Sequence, residues 1–102
     1  MGPYNIYNAT VVWKDCADMR PWIIIGDCVG EEWECFPITG QSYGSCNFEL
    51  SPSHEGFAQT GLSKLCYIHY TSVVMVPQAS FKKYRGTLDG SLLDAFISEA
   101  GL

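Results

Sequence analysis

Apolar residues recur along most of the chain in short runs of the kind that form β-strands. Residues 22–25 are one tryptophan and three isoleucines, which predicts a strand buried on both faces of a sheet and ended by Gly26-Asp27. Pro21 fits the first residue of this strand because proline cannot donate to a sheet ladder. A second apolar run at residues 33–39 follows the polar turn Gly30-Glu31-Glu32. We therefore expect the two runs to pair as a hairpin.

The remaining runs predict further short strands. Residues 4–13 alternate loosely and predict the first strand, and residues 46–50 alternate as a half-exposed strand. Residues 66–76 predict one long β-run, which Pro77 closes. Residues 51–61 contain a proline and two glycines, and we expect a long mobile connection there.

The hydrophobic period changes after Pro77 from that of strands to that of helices. Residues 79–85 predict a single helical turn. Residues 89–100 predict a longer helix, and Ser91 is its expected capping residue because an acidic residue follows three positions later. Gly101 suits a C-terminal cap.

Composition agrees with one folded domain. The chain has 102 residues, of which 47% are hydrophobic and 14% aromatic, so it can form a core. Short strands followed by one helix indicate a mainly β fold, namely a small antiparallel barrel with a C-terminal helix. We expect this barrel to be a single domain that spans residues 1–102. No apolar run reaches the roughly 18 residues of a membrane span, and the N-terminus lacks a secretory pattern. We expect a cytoplasmic protein with no membrane partner.

The cysteines do not form a recognisable framework. There are five, an odd number, with no C-x-x-C and no zinc-finger spacing. We predict that all five are free thiols in a reducing compartment. The sequence predicts neither a metal nor a cofactor.

The charge balance excludes one class of function. The net charge is −5 and the chain has only six lysines and arginines, whereas proteins that coat long nucleic acids are usually basic. An enzyme that contacts a few nucleotides through a local cationic spot is compatible with this charge.

Arg20 and Thr39 are the first candidate site. If residues 22–25 and 33–39 pair as a hairpin, these two residues lie at the same end of the pair. A cation and a hydroxyl side by side at a rigid sheet edge make an anion or phosphate site. The alternative is that Arg20 is a solvated strand-end residue and Thr39 an ordinary β-former.

Several short motifs occur in an order that resembles the PemK/MazF family of bacterial toxin ribonucleases. They are Arg20-Pro21 before residues 22–25, Pro37-Ile38-Thr39-Gly40, Gly61-Leu62-Ser63-Lys64 before residues 66–68, Val76-Pro77, and Gly86-x-Leu88 with the closing helix. The resemblance covers about residues 8–100. It implies an SH3-like barrel that is commonly active as a homodimer.

The resemblance also implies an activity. Members of this family are toxins of type II toxin-antitoxin systems, endoribonucleases that cut single-stranded RNA or mRNA without metal and are held neutral by a cognate antitoxin protein. The 2′-hydroxyl attacks the adjacent phosphate and leaves a 2′,3′-cyclic phosphate. Carried over, Arg20 acts in charge stabilisation and proton transfer, and Thr39 binds the phosphate. Arginine is normally too basic to be a general base, so its electrostatic role has the better physical support.

Neighbouring polar residues are candidates for substrate binding. Gln41, Ser42 and Tyr43 follow Thr39 and are placed to contact bases or sugars. Lys14 belongs to the loop before the Arg-Pro motif, which shapes RNA selection in the family. His69 supplies a titratable group. The alternatives are a solvated loop and a strand histidine without a chemical role.

One departure from the family supports a different function. Where the family often has Asp-Gln-x-Arg-Thr, this chain has Thr71-Ser72-Val73-Val74-Met75. The alternative function is a catalytically inactive SH3-like barrel that binds a protein or peptide, and a second alternative is an unrelated small barrel. A groove lined by Trp13, Trp22 and Trp33 would favour the peptide binder. A groove shared by the arginine and the threonine would favour the enzyme.

Overall fold

A computed structural model of the chain describes residues 1–42 and 44–102. Within these residues the chain forms seven strands, two short 3-10 helices and one α-helix. The strands are β1 (Asn5–Thr10), β2 (Met19–Val29), β3 (Glu32–Thr39), β4 (Asn47–Leu50), β5 (Cys66–His69), β6 (Val74–Pro77) and β7 (Phe81–Thr87). The 3-10 helices are Phe57–Thr60 and Gln78–Ser80, and helix α1 is Gly90–Ala100. The predicted mainly β class with one C-terminal helix is confirmed.

The strands form one antiparallel sheet. Its order is β4-β5-β3-β2-β1-β7, and β6 pairs with β3 beyond the end of β5. Strand β3 therefore has β2 along one edge and both β5 and β6 along the other. Among the residues described, β4 and β7 end the sheet and do not pair with each other. The pairing of these strands therefore does not close the sheet into a barrel.

The hairpin of β2 and β3 has the predicted arrangement. Trp22 pairs with Pro37 and Ile23 with Phe36. Pro21 is the third residue of β2 rather than the first. Proline is accommodated there because the ladder to β3 begins only at the next residue.

The predicted end of β2 at Gly26-Asp27 is wrong. The strand continues to Val29, and its register against β3 shifts between Ile24 and Cys28. This irregularity is a β-bulge, in which glycine is common because it adapts to an unusual backbone conformation. The glycine is therefore part of the strand and does not break it.

The two faces of β2 pack into two separate clusters. Ile23 belongs to the larger one, and Trp22 and Ile24 belong to the smaller one. All three side chains are fully buried, as predicted for a strand covered on both faces. Helix α1 covers the larger cluster, where the Phe96 ring lies edge-on to Phe48 with centroids 5.3 Å apart.

Helix α1 has a different N-terminal cap from the predicted one. Asp89, and not Ser91, precedes the first helical turn, and its carboxylate accepts a hydrogen bond of 2.8 Å from the Gly90 N–H. Gly101 adopts a left-handed conformation with φ of 74° and ends the helix, as predicted.

The helical turn predicted at residues 79–85 is present only in the 3-10 helix Gln78–Ser80, and the rest of the predicted turn is wrong. This segment contains the start of β7, which pairs with β1 from the other end of the chain. The rings of Phe81 and Tyr84 each lie 5.2 Å from that of Tyr7 on β1. Cross-strand aromatic contacts of this kind stabilise a sheet and override a weak local helical pattern.

The segment at residues 51–61, expected to be a long mobile connection, is partly ordered. It contains the 3-10 helix Phe57–Thr60, in which Phe57 and Thr60 are buried. The Thr60 hydroxyl donates a 2.6 Å hydrogen bond to the Phe57 carbonyl. This contact satisfies a buried polar group, as burial requires.

The long β-run predicted at residues 66–76 is two strands. Strands β5 and β6 follow one another along the same edge of β3. A turn separates them, closed by a 3.2 Å hydrogen bond from the Ser72 N–H to the His69 carbonyl. His69 is thereby the last residue of β5.

All five cysteines are free thiols, as predicted. Burial raises the pKa of Cys35 to about 12 and that of Cys66 to about 11. Both thiols therefore stay protonated at neutral pH and act as small apolar side chains.

Candidate functional site

The hairpin brings Arg20 and Thr39 into one pocket. Arg20 is the second residue of β2 and Thr39 the last of β3. Both line a pocket of about 370 Å³ at this end of the sheet. The predicted juxtaposition of the cation and the hydroxyl is confirmed.

Thr39 contacts His69 directly. Thr39 pairs with Tyr67 on β5, and His69 lies two residues further along that strand, so its side chain is on the same face. Thr39 Oγ1 lies 2.7 Å from His69 Nε2. The hydroxyl and the imidazole form one hydrogen-bonded pair.

Gln41 completes this network through its backbone. Its carbonyl lies 2.6 Å from Thr39 Oγ1, and its N–H donates to the same oxygen at 3.3 Å. A hydroxyl has a single proton, so Thr39 donates either to this carbonyl or to His69. The direction of the hydrogen bond between Thr39 and His69 depends on which ring nitrogen of His69 carries the proton.

His69 is neutral at pH 7. The side chain is 3% exposed, and this burial lowers its pKa below the ordinary value of 6.5. The positive charges of Lys14 and Arg20 lower the pKa further, while a hydrogen bond to the Gln41 backbone opposes the shift. The site thus holds an unprotonated imidazole beside two cations.

The indole ring of Trp13 lies close to the side chains of Arg20, Lys14 and His69. The Arg20 guanidinium carbon lies 5.2 Å from the ring centroid, and the Lys14 ammonium lies 5.3 Å from it. The His69 ring lies 5.3 Å from the same centroid, tilted by 38°. Cations over an indole face are attracted to its negative charge, so Trp13 orients the predicted site residues around one surface.

A strained turn places Trp13 there. Strand β1 ends at Thr10, and not at residue 13 as predicted. Trp13 and Cys16 exchange two backbone hydrogen bonds of 2.9 and 3.1 Å, which close a two-residue turn. Its central residues, Lys14 and Asp15, have φ of 52° and 59°. Two positive φ angles are the pattern of a type I′ turn, which normally contains Asn and Gly.

Arg20 retains unused hydrogen-bonding capacity. The side chain is half-buried, and its buried Nε has no hydrogen-bond partner among residues 1–42 and 44–102. A buried donor of this kind costs free energy unless an acceptor reaches it. The pocket is therefore a place where an anion would find an unused donor.

Sequence reasoning missed two cations of the same pocket. Lys64 precedes β5, Arg85 lies on β7, and both line the pocket with Arg20. No local pattern relates three residues that belong to distant parts of the chain. The only available signal is that Lys64 ends the Gly-Leu-x-Lys motif.

The other predicted substrate-binding residues lie at the periphery. Lys14 is exposed on the strained turn, and Ser42 is exposed after β3. Neither is among the described residues that line the pocket. Tyr43 lies outside the described residues. The three tryptophans do not form a common groove, because Trp22 is fully buried.

No three His, Cys, Asp or Glu side chains of residues 1–42 and 44–102 converge to hold a metal ion. None of the helices in these ranges has the length and apolar character needed to cross a membrane.

No model of a known protein family matches the chain, and no curated protein matches it. The assignment of a function therefore depends on the residues of the site.

Proposed function

We propose that the chain is the toxin of a type II toxin-antitoxin system, a metal-independent endoribonuclease of the PemK/MazF type. The observation that carries this proposal is that Arg20 and Thr39 line one pocket and that Thr39 Oγ1 lies 2.7 Å from His69 Nε2. Attack by a 2′-hydroxyl needs a fixed positive charge beside the phosphate and a base that is unprotonated at neutral pH, which is reached here through a hydroxyl that relays the proton. These three side chains supply those groups.

In the proposed reaction the scissile phosphodiester of a single-stranded RNA lies against Arg20 and Thr39. The 2′-hydroxyl gives its proton to Thr39 Oγ1 while Thr39 passes its own proton to Nε2 of His69. The 2′-oxygen forms a bond to phosphorus, and the bond from phosphorus to the 5′-oxygen breaks. His69 returns the proton to the 5′-oxygen through the same hydroxyl. The products are a 2′,3′-cyclic phosphate and a 5′-hydroxyl.

Arg20 contributes through charge. Its guanidinium stays protonated at all physiological pH values, so it stabilises the negative charge that develops on the phosphoryl oxygens. Its contact with the Trp13 ring fixes its orientation before the substrate binds. A donor held in place beforehand costs little reorganisation when the charge forms.

The proposal includes the fold family and the partners. An SH3-like barrel is supported by the seven antiparallel strands and the C-terminal helix. A homodimer and a cognate antitoxin are implied by the resemblance. A molecular mass equal to that of one chain, measured by light scattering at tens of micromolar protein, would contradict the homodimer.

The test is cleavage of single-stranded RNA oligonucleotides in EDTA, with the products identified by mass spectrometry. We expect Arg20→Ala to lower kcat/KM by about 10²–10³-fold, as loss of a fixed oxyanion donor does. Arg20→Lys should restore little, because an ammonium cannot reproduce the planar fork of the guanidinium. Thr39→Val keeps the branched shape and loses the hydroxyl, so it should fold and be slow. Lys82→Ala removes an exposed cation elsewhere and is the control.

Two outcomes would overturn this proposal. If Arg20→Ala cleaves RNA as fast as the wild type, the role carried over from the family is wrong. If the wild type cuts no RNA of any tested sequence and does not slow cell growth, the inactive binding module is correct. The lack of an acidic and a basic residue at positions 71–75 favours that module.

A further inference from the structure

We infer that the pocket of Arg20 and Thr39 has a second phosphate subsite, formed by Lys64 and Arg85, for the phosphodiester next to the scissile one. The inference deepens the proposed function, since it assigns a minimum substrate of two consecutive phosphodiesters. It concerns binding, so it can be tested without cleavage.

The first argument is the distribution of charge. The chain has six lysines and arginines and a net charge of −5, yet Arg20, Lys64 and Arg85 line one pocket. Asp18 is the carboxylate among the described lining residues, and it is exposed and accepts a 2.7 Å hydrogen bond from the Cys16 thiol. A concave surface with an excess of one sign of charge concentrates ligands of the opposite sign.

The second argument is the way in which Arg85 is held. Its Nε and Nη2 donate to the Gly61 carbonyl at 3.1 and 2.7 Å, and its Nη1 donates to Asn8 Oδ1 at 3.2 Å. These acceptors carry no net charge. The guanidinium is therefore fixed in place while its positive charge remains available to an anion.

The third argument is the electrostatic effect of Lys64 and Arg85 on Cys66, another residue of the pocket. Cys66 is one of the residues that line this pocket, and the pKa of its thiol is raised mainly by burial. Arg85 and Lys64 oppose this rise, because their positive charges favour the thiolate. The loop before β5 and strand β7 thus each contribute a positive charge near the same lining residue.

The fourth argument is size and arrangement. The pocket volume of about 370 Å³ lies within the roughly 300–1,000 Å³ of small-molecule sites. Arg20 and Thr39 come from the hairpin of β2 and β3, whereas Lys64 and Arg85 come from other elements. One phosphate against the first pair leaves the second pair for the neighbouring phosphate of the same strand.

The experiment measures binding of uncleavable 2′-deoxythymidine oligonucleotides by calorimetry at low salt. The dinucleotide has one internal phosphate and the trinucleotide has two. We expect the wild type to bind the trinucleotide at least about tenfold more tightly, as a charge-assisted contact implies. Lys64→Gln should remove this difference and leave dinucleotide binding unchanged. A plot of the logarithm of the trinucleotide binding constant against the logarithm of the salt concentration should also become less steep by about one unit of slope in this variant.

Lys82→Gln is the matched control, because Lys82 is an exposed lysine of β7 that does not line the pocket. If Lys64→Gln binds the trinucleotide as the wild type does, or if both variants weaken it equally, the subsite is overturned. If the protein cleaves no RNA but its trinucleotide binding depends on Lys64, the proposed activity fails and the subsite stands. If RNA is cleaved and Lys64→Gln leaves KM unchanged, the subsite alone fails.

Discussion

At the scale of single residues, the surroundings of His69 determine its chemistry. Burial lowers its pKa, and the cations Lys14 and Arg20 lower it further. A base with a lowered pKa is weaker, but a larger fraction of it is unprotonated at pH 7. In the proposed reaction, the proton that it accepts is then readily returned to the leaving oxygen. The pH at which the proposed reaction loses half of its rate should therefore lie below 6.5.

The pKa of His69 can be measured by NMR titration of the imidazole signals. We expect a midpoint below 6.5, and we expect Lys14→Gln to raise it because a repelling positive charge is removed. The signal of His54, which lines a different pocket, should not respond to this change. The unfolded chain binds the extra proton more readily than the folded chain, so stability falls as the pH drops below 6.5. A midpoint above 6.5 would contradict the burial of this side chain.

At the scale of elements, the turn after β1 carries strain next to the candidate site. Lys14 and Asp15 adopt left-handed conformations, which cost a non-glycine residue roughly 1 kcal/mol or more. The turn holds the Trp13 ring against Arg20 and His69. Strain of this kind persists because the packing of the ring and the paired backbone stabilise the turn.

Replacing Asp15 with glycine should relieve part of this strain. We expect Asp15→Gly to raise the free energy of unfolding by roughly 0.5–1 kcal/mol, measured by urea denaturation. The control is Asp27→Gly, an exposed position of β2 without a positive φ. There glycine should lower stability by roughly 0.5–1 kcal/mol, because it adds conformational freedom to the unfolded chain. Equal effects of the two substitutions would contradict the strained turn.

The capping of α1 gives a second prediction for an element. The Asp89 carboxylate accepts a hydrogen bond from Gly90 N–H, and no capping contact in the described residues involves Ser91. We expect Asp89→Ala to cost about 1 kcal/mol in thermal or urea unfolding. Ser91→Ala should change stability by less than about 0.5 kcal/mol, as an exposed surface substitution does. A larger loss of stability for Ser91→Ala than for Asp89→Ala would show that Ser91 is the capping residue.

At the scale of the whole molecule, two glycines join distant segments. A β-carbon built on Gly61 would overlap the Arg85 carbonyl, and one on Gly86 would overlap the backbone of Gln59 and Thr60. The segment before β5 therefore lies directly on β7. This close approach brings Lys64 and Arg85 into the pocket that Arg20 lines.

Gly86→Ala tests this contact. We expect a loss of roughly 1–3 kcal/mol or more in urea unfolding, since backbone atoms must move to admit the methyl group. Gly40→Ala is the control, because a β-carbon there has no neighbour within 4 Å and the residue has no positive φ. Wild-type stability of Gly86→Ala would show that the two segments do not approach so closely.

Local patterns in the sequence determined several features of the fold. Alternating and continuous apolar runs predicted the hairpin of β2 and β3, and the pairing direction placed Arg20 beside Thr39. Helical spacing with Gly101 predicted the closing helix, and the cysteine count predicted free thiols. Each of these features depends on residues that are near in the chain or on one hairpin, and such short-range relations appear directly in the order of residues.

Only the tertiary structure decided how the remaining segments meet. Residues 81–85 are a strand because β1 pairs with them, and Asn8 and Arg85, which are 77 residues apart, are hydrogen-bonded. The contact of Thr39 with His69 follows from the register of β3 and β5. No periodicity encodes a register between distant strands, since it is set by packing and by pairing of the whole sheet. The imidazole contact of Thr39, the aromatic surface and the additional cations of the candidate site became visible for that reason only in the folded chain.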